Sequence, residues 1–121
     1  PHLRERETAH VVNVSSVAGR EAGETSSGYN ATKFGVNGFT EALRQEETQN
    51  GVRTTLVEPG AVDTELQEHI PDDEVQERIE QWVEEMDALT SDDIARSIRY
   101  AVTQPDHVSV NELLIRPTQQ K

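Results

Sequence analysis

A chain of 121 residues, 33% of them apolar, can bury the core of one domain but holds no apolar run near the roughly 20 residues that cross a bilayer. Without cysteine there is no disulfide or thiolate metal site, and His2, His10, His69 and His107 lie scattered, so no metal centre is expected. A net charge of −12 argues against nucleic acid or an anionic membrane as a partner, and with no secretory leader visible a cytoplasmic setting is expected.

In chain order, Pro1 to His10 reads as the end of a helix. The apolar run Val11-Val12-Asn13-Val14 predicts a parallel strand, buried on both faces, over His10 to Ser15. Ser16 to Gly28 is rich in Gly and Ser and reads as a loop. Tyr29 to about Asn50 is the long helix, with Phe34, Phe39 and Leu43 bulky and Ala31, Gly35, Gly38 and Ala42 small. Each interior glycine costs a helix about 1 kcal/mol relative to alanine, so close packing against a neighbouring backbone is expected at Gly35 and Gly38. Asn50-Gly51 ends the helix.

Val52 to Glu58 suits a second buried strand, broken sharply by Pro59-Gly60. Glu65 to Leu89 shows helical spacing in Ile70, Val75, Ile79, Trp82, Val83 and Met86, and Pro71 divides it into a short and a longer piece. Twelve acids and one base between Glu65 and Asp93 give this segment a charge of −11, while nine of the eleven bases in the chain are Arg. That balance fits either a halophilic protein or a single solvated acidic helix. Ser91 opens a further helix with Asp92 and Asp93 in its first turn, and Val108 to Ile115 forms the last strand. The fold expected is α/β: three parallel strands with right-handed helical crossovers, half of a doubly wound, Rossmann-like sheet, with the first strand left at an edge.

One stretch carries chemistry. Tyr29 and Lys33 are four residues apart and so share one helix face, and Ser16 ends the first strand, where open α/β sheets bind ligands. A phenol is a poor base near neutrality, and a neighbouring ammonium favours its ionised form. Tyr29 is thus a candidate general acid/base tuned by Lys33, with Ser16 holding a substrate oxygen.

Val12-Asn13-Val14-Ser15-Ser16-Val17-Ala18-Gly19, Gly28-Tyr29-Asn30-Ala31-Thr32-Lys33 and Glu58-Pro59-Gly60-Ala61-Val62-Asp63-Thr64 together resemble the carboxyl-terminal half of a short-chain dehydrogenase/reductase. Tyr-x-x-x-Lys alone is weak evidence, but three blocks in order with the family's Ser-to-Tyr spacing are strong, and the likeness runs on to Asn111–Thr118, so all of 1–121 reads as the carboxyl-terminal part of one such domain. The resemblance implies hydride transfer between NAD or NADP and a small alcohol or ketone, with Ser16, Tyr29 and Lys33 catalytic. It places Tyr29, Lys33, Pro59, Gly60, Val62 and Thr64 at the cofactor, makes residues 65–90 a substrate lid, and lets the backbone near Gly28 approach the cofactor. It makes the 29–50 helix a subunit interface, so the interior glycines pack there or on the sheet. The glycine-rich loop that seats the pyrophosphate has no counterpart here, which implies a truncated or split form needing an amino-terminal half. The family's catalytic Asn has no counterpart either; Asn13 and Asn30 do not match it. The alternatives are a non-catalytic remnant or interaction subunit, and an epimerase or dehydratase sharing Tyr-x-x-x-Lys.

Overall fold

The structure, a computed structural model, describes residues 1–66 and 70–121. Positions 67–69, including His69 and part of the stretch read as a lid, lie outside the described residues. Three strands, β1 (Ala9–Val14), β2 (Val52–Pro59) and β5 (Glu112–Ile115), form a parallel sheet in the order β1-β2-β5. The long helix α1 (Ser27–Glu47) connects β1 to β2. Between β2 and β5 come β3 (Val62–Asp63), α2 (Asp73–Glu84), β4 (Leu89–Thr90) and α3 (Ser91–Val102). The expected α/β class and parallel strand set are therefore present, and β1 pairs with β2 alone among the described strands.

β2 is the centre of the molecule because its neighbours cover both edges and helices cover both faces. Val52, Leu56 and Val57 are buried, and so are Thr54, Thr55 and Glu58. The polar members are tolerated because most find partners. The Thr55 hydroxyl donates to the Val110 carbonyl at 2.6 Å, so it accepts from His10 Nε2 at 2.7 Å. Burial, reinforced by the Arg53 charge, lowers the pKa of His10.

α1 reverses the usual sidedness of a surface helix. Asn37 and Thr40 face the sheet, where Asn13 Nδ2 donates to Thr40 Oγ1 at 2.8 Å, and the buried Asn30 faces the loop after Ser16. Phe34 and Phe39 instead lie exposed, Phe39 at 63%. A methyl built at Gly35 or Gly38 would meet nothing within 4 Å, so the packing of these glycines on the sheet is not found. α1 ends as expected, with Gly51 at φ +71°, after a 3-10 turn over Thr48–Asn50.

Several expected boundaries move. Residues 1–8 form turns rather than a helix end, with the Arg4 guanidinium paired with Glu47 on α1. A segment this short has few helical bonds of its own, and the tertiary ion pair prevails. The last strand starts at Glu112, not Val108. Arg53 Nη1 donates to the carbonyls of Gln104 and Val108 at 3.1 and 3.3 Å, so side chains hold this stretch before the ladder begins. Pro59 belongs to β2, pairing with Ile115, and the chain turns one residue later. The short helical piece expected before Pro71 runs into positions 67–69, outside the described residues, and α2 starts at Asp73 behind an Asp72 cap that accepts from the Val75 amide at 3.1 Å. α3 opens at Ser91 as expected, with Asp92 and Asp93 in its first turn, and Thr90 caps it in a capping box with Asp93 that lowers the Asp93 pKa.

Candidate active site

Three segments far apart in sequence meet at the carboxyl ends of β1 and β2. The end of β1 brings Ser16, the first turns of α1 bring Tyr29 and Lys33, and the turn after β2 brings Pro59, Gly60, Val62 and Thr64. All seven line one cavity of about 690 Å³. Its position outside the carboxyl ends of parallel strands is where open α/β sheets bind their ligands.

Local geometry explains each placement. Ser16 is extended at φ −166°, and its hydroxyl accepts from the Ala18 amide at 3.1 Å, capping the 3-10 turn Val17–Gly19 that bends the chain off β1. Tyr29 is half exposed to the cavity. Lys33 follows one helical turn later, its Nζ 5.4 Å from the centre of the Tyr29 ring and 3.5 Å from the Val14 carbonyl oxygen. The Tyr29 and Lys33 side chains are thus brought together, with the ammonium against the ring.

The turn after β2 is held by the end of the chain. The Gly60 amide donates to the Ile115 carbonyl at 2.7 Å, and the buried Ala61 amide donates to Gln120 Oε1 at 2.8 Å. Gly60 is needed for close approach: a Cβ there would lie 2.1 Å from Gln120 Oε1 and 3.2 Å from Pro117 Cδ. Beyond it, β3 pairs with β4, and the Leu89 amide donates to the Ala61 carbonyl at 3.0 Å. The Thr64 hydroxyl accepts from the Leu66 amide at 3.3 Å.

Other residues matter that the sequence reading passed over. Asn30, next to Tyr29 and only 6% exposed, donates to the carbonyls of Ala18 and Glu21 at 2.8 and 3.0 Å and accepts from the Gly23 amide at 3.1 Å. It fastens the loop after Ser16 to the first turn of α1. A polar residue beside a motif tyrosine and after a Gly/Ser loop was the available signal. Glu58, just before Pro59, is fully buried and accepts from Asn37 Nδ2 at 2.8 Å and from Arg20 Nη1 at 3.2 Å. Burial pushes its carboxyl up, with Glu112 acting in the same sense and Arg20 against it. Gly28 lines the cavity, and a methyl there would meet nothing within 4 Å. The remaining lining is largely apolar, with Ile70, with Val75, Ile79, Trp82 and Val83 of α2, and with Ile94 of α3.

No helix among the described residues is long and apolar enough to cross a membrane, and no group of three or more His, Asp or Glu side chains among them could hold a metal ion. Comparison with known proteins gives a consistent answer. The family model described as short chain dehydrogenase matches residues 1–75. An uncharacterized oxidoreductase of Staphylococcus saprophyticus is 43% identical over 122 residues, covering 99% of this chain and 49% of the relative. A closed form of serine dehydrogenase complexed with NADP+ superposes with a TM-score of 0.82 at 33% identity, over 93% of this chain and 45% of that one. An alcohol dehydrogenase from the archaeon Thermococcus sibiricus, complexed with 5-hydroxy-NADP, superposes with a TM-score of 0.74 at 25% identity, over 93% and 43%. The chain spans about half the length of the curated relatives it matches.

Proposed function

The chain belongs to the short-chain dehydrogenase family, and on that premise we propose that it carries the proton-transfer side of an oxidoreductase that interconverts an alcohol and a carbonyl with NAD or NADP. One observation carries the reading: seven motif residues from three separated segments line a single cavity at the carboxyl ends of the strands. The NADP and 5-hydroxy-NADP named for the two solved neighbours support a cofactor of this class.

The residues present fit the nicotinamide end of such a dinucleotide. The hydroxyls of Ser16, Tyr29 and Thr64 and the ammonium of Lys33 supply polar groups to the cavity lining, together with the turn of Pro59, Gly60 and Val62. Lys33 would hold ribose hydroxyls, and the backbone near Val62 with the Thr64 hydroxyl would hold the carboxamide and neighbouring phosphate. The bound cofactor supplies or accepts the hydride. Ser16 orients the substrate oxygen by a hydrogen bond. Tyr29 Oη gives its proton to that oxygen in reduction and takes it back in oxidation, while Lys33 beside the ring offsets the negative charge that develops on the phenol.

The exposed face of α1 belongs to the same proposal. Phe34, Gly35, Gly38 and Phe39 are exposed side by side, and a methyl built on either glycine meets no other side chain or packed backbone within 4 Å, which leaves room for a second copy. The amino-terminal part of a relative would complete the pyrophosphate site. The test joins this chain to the amino-terminal half of the Staphylococcus relative and follows ketone-dependent oxidation of NADPH and NADH. Tyr29→Phe should lower turnover by about 10²- to 10⁴-fold; undiminished turnover would show the proton route to be wrong.

A further inference from the structure

We infer that the cavity takes a neutral carbonyl or alcohol with an apolar body, and that it rejects substrates carrying a carboxylate or an ammonium near the reacting carbon. This rests on the reading of Ser16 and Tyr29 as the reacting end.

The lining carries the argument. Among the described residues around the cavity the ionisable side chains are Tyr29 and Lys33, and Lys33 already lies over the Tyr29 ring and against the Val14 carbonyl. Among the described residues, no Arg, His, Asp or Glu lines it. A charged substituent pointing away from the reacting end would lose its water and meet no counter-charge, and burial without a partner strongly disfavours a charge. The same cavity is also lined by Ile70, Val75, Ile79, Trp82, Val83 and Ile94. Positions 75, 79, 82 and 83 follow the i, i+4, i+7, i+8 spacing of one helix face, so α2 presents a continuous hydrocarbon stripe to the ligand.

The outside of the same helix adds an independent selection. Glu74, Glu77 and Glu84 are exposed on α2, within a segment whose charge is −11, so an anion approaching this mouth is repelled before it reaches the wall. A cation is drawn toward the mouth but meets no carboxylate among the described lining residues.

Trp82 is the one tryptophan of the chain and lines the cavity, so its fluorescence reports binding directly. The 121-residue chain, and the same chain joined to a relative's amino-terminal half, would be titrated with ethyl acetoacetate, with acetoacetate and with aminoacetone. Longer keto esters would follow. The neutral ester should bind at least about tenfold more tightly than the acid or the amine, and each added methylene should tighten binding by about fourfold until the wall is covered. The order should persist in 1 M KCl, where the surface field is screened but the lining is unchanged. Ile79→Arg should shift the preference toward the acid. Equal or tighter binding of acetoacetate, or ester binding that ignores chain length, would overturn the inference. Because binding and not turnover is read, an active Tyr29→Phe enzyme would end the proton-transfer assignment and leave this one standing, and tight binding of the free acid would do the converse.

Discussion

Replacing Gly60 by alanine is the most informative single change, because its cost can be worked from named atoms. The added methyl would stand 2.1 Å from Gln120 Oε1 and 3.0 Å from Gln120 Cδ, so the side-chain amide must leave. That removes the acceptor of the Ala61 amide, which is buried and has its 2.8 Å bond to Gln120 Oε1. An unsatisfied buried donor costs about 1–3 kcal/mol. Pro117 Cδ at 3.2 Å must also yield by a few tenths of an ångström, whereas the stiffer unfolded chain returns about 0.4–1 kcal/mol. The net expectation is a loss of about 0.5–2.5 kcal/mol, a fall in melting temperature of roughly 2–10 °C for a domain of this size. Circular-dichroism melts of Gly60→Ala, Gln120→Ala and the double variant would decide the mechanism. If displacement of Gln120 is the cause, the alanine adds little once Gln120 is gone, and the two effects fail to add by about 1 kcal/mol or more. Additivity within about 0.5 kcal/mol would refute the reasoning, since distant, independent sites behave that way.

Three further outcomes are expected. Asn30→Ala removes three hydrogen bonds of a buried side chain and should cost about 2–4 kcal/mol in urea unfolding, with faster amide exchange at Gly23; an unchanged midpoint would contradict its fastening role. The folded-state pKa of His10 is lowered, so the unfolded chain binds more protons as pH falls below about 6.5; stability should decline through that window and the decline should vanish in His10→Gln, an unaltered pH profile in the variant being the contrary result. The −11 segment should make melting temperature rise between 0.1 and 1 M KCl, as the screening length shrinks from about 10 to about 3 Å; a flat or falling trend would favour the plain solvated-helix account.

The sequence disclosed the site better than the surfaces around it, and physics explains the division. Tyr29, Lys33 and Ser16 are related by helical pitch and by a strand end, which spacing encodes. The β3–β4 pair was invisible because two-residue strands at Val62–Asp63 and Leu89–Thr90 have no periodicity to detect. The sequence did not show which face of α1 meets the sheet: Asn30, Asn37 and Thr40 meet polar groups of the sheet and loops while Phe34 and Phe39 are exposed. The start of β5 was misplaced because arginine and threonine side chains, rather than a neighbouring strand, hold the carbonyls of 104–110. Burial of Glu58 depended on Arg20 and Asn37 arriving from elsewhere, which no local pattern records.

The lone pairing of β1 bears on how the cavity could be closed. β1 is matched to β2 from Ala9 to Val14, leaving its other side without a strand among the described residues. A parallel strand laid there would run about 4.8 Å away and finish level with Val14 and Ser16. Val14 is half exposed and lines the cavity. The open flank is thus a socket whose depth is already set: an incoming strand has one register that puts its carboxyl end at the mouth, and a slip of one residue would turn its inner face outward. Completion from this side would therefore be gated by alignment as much as by affinity.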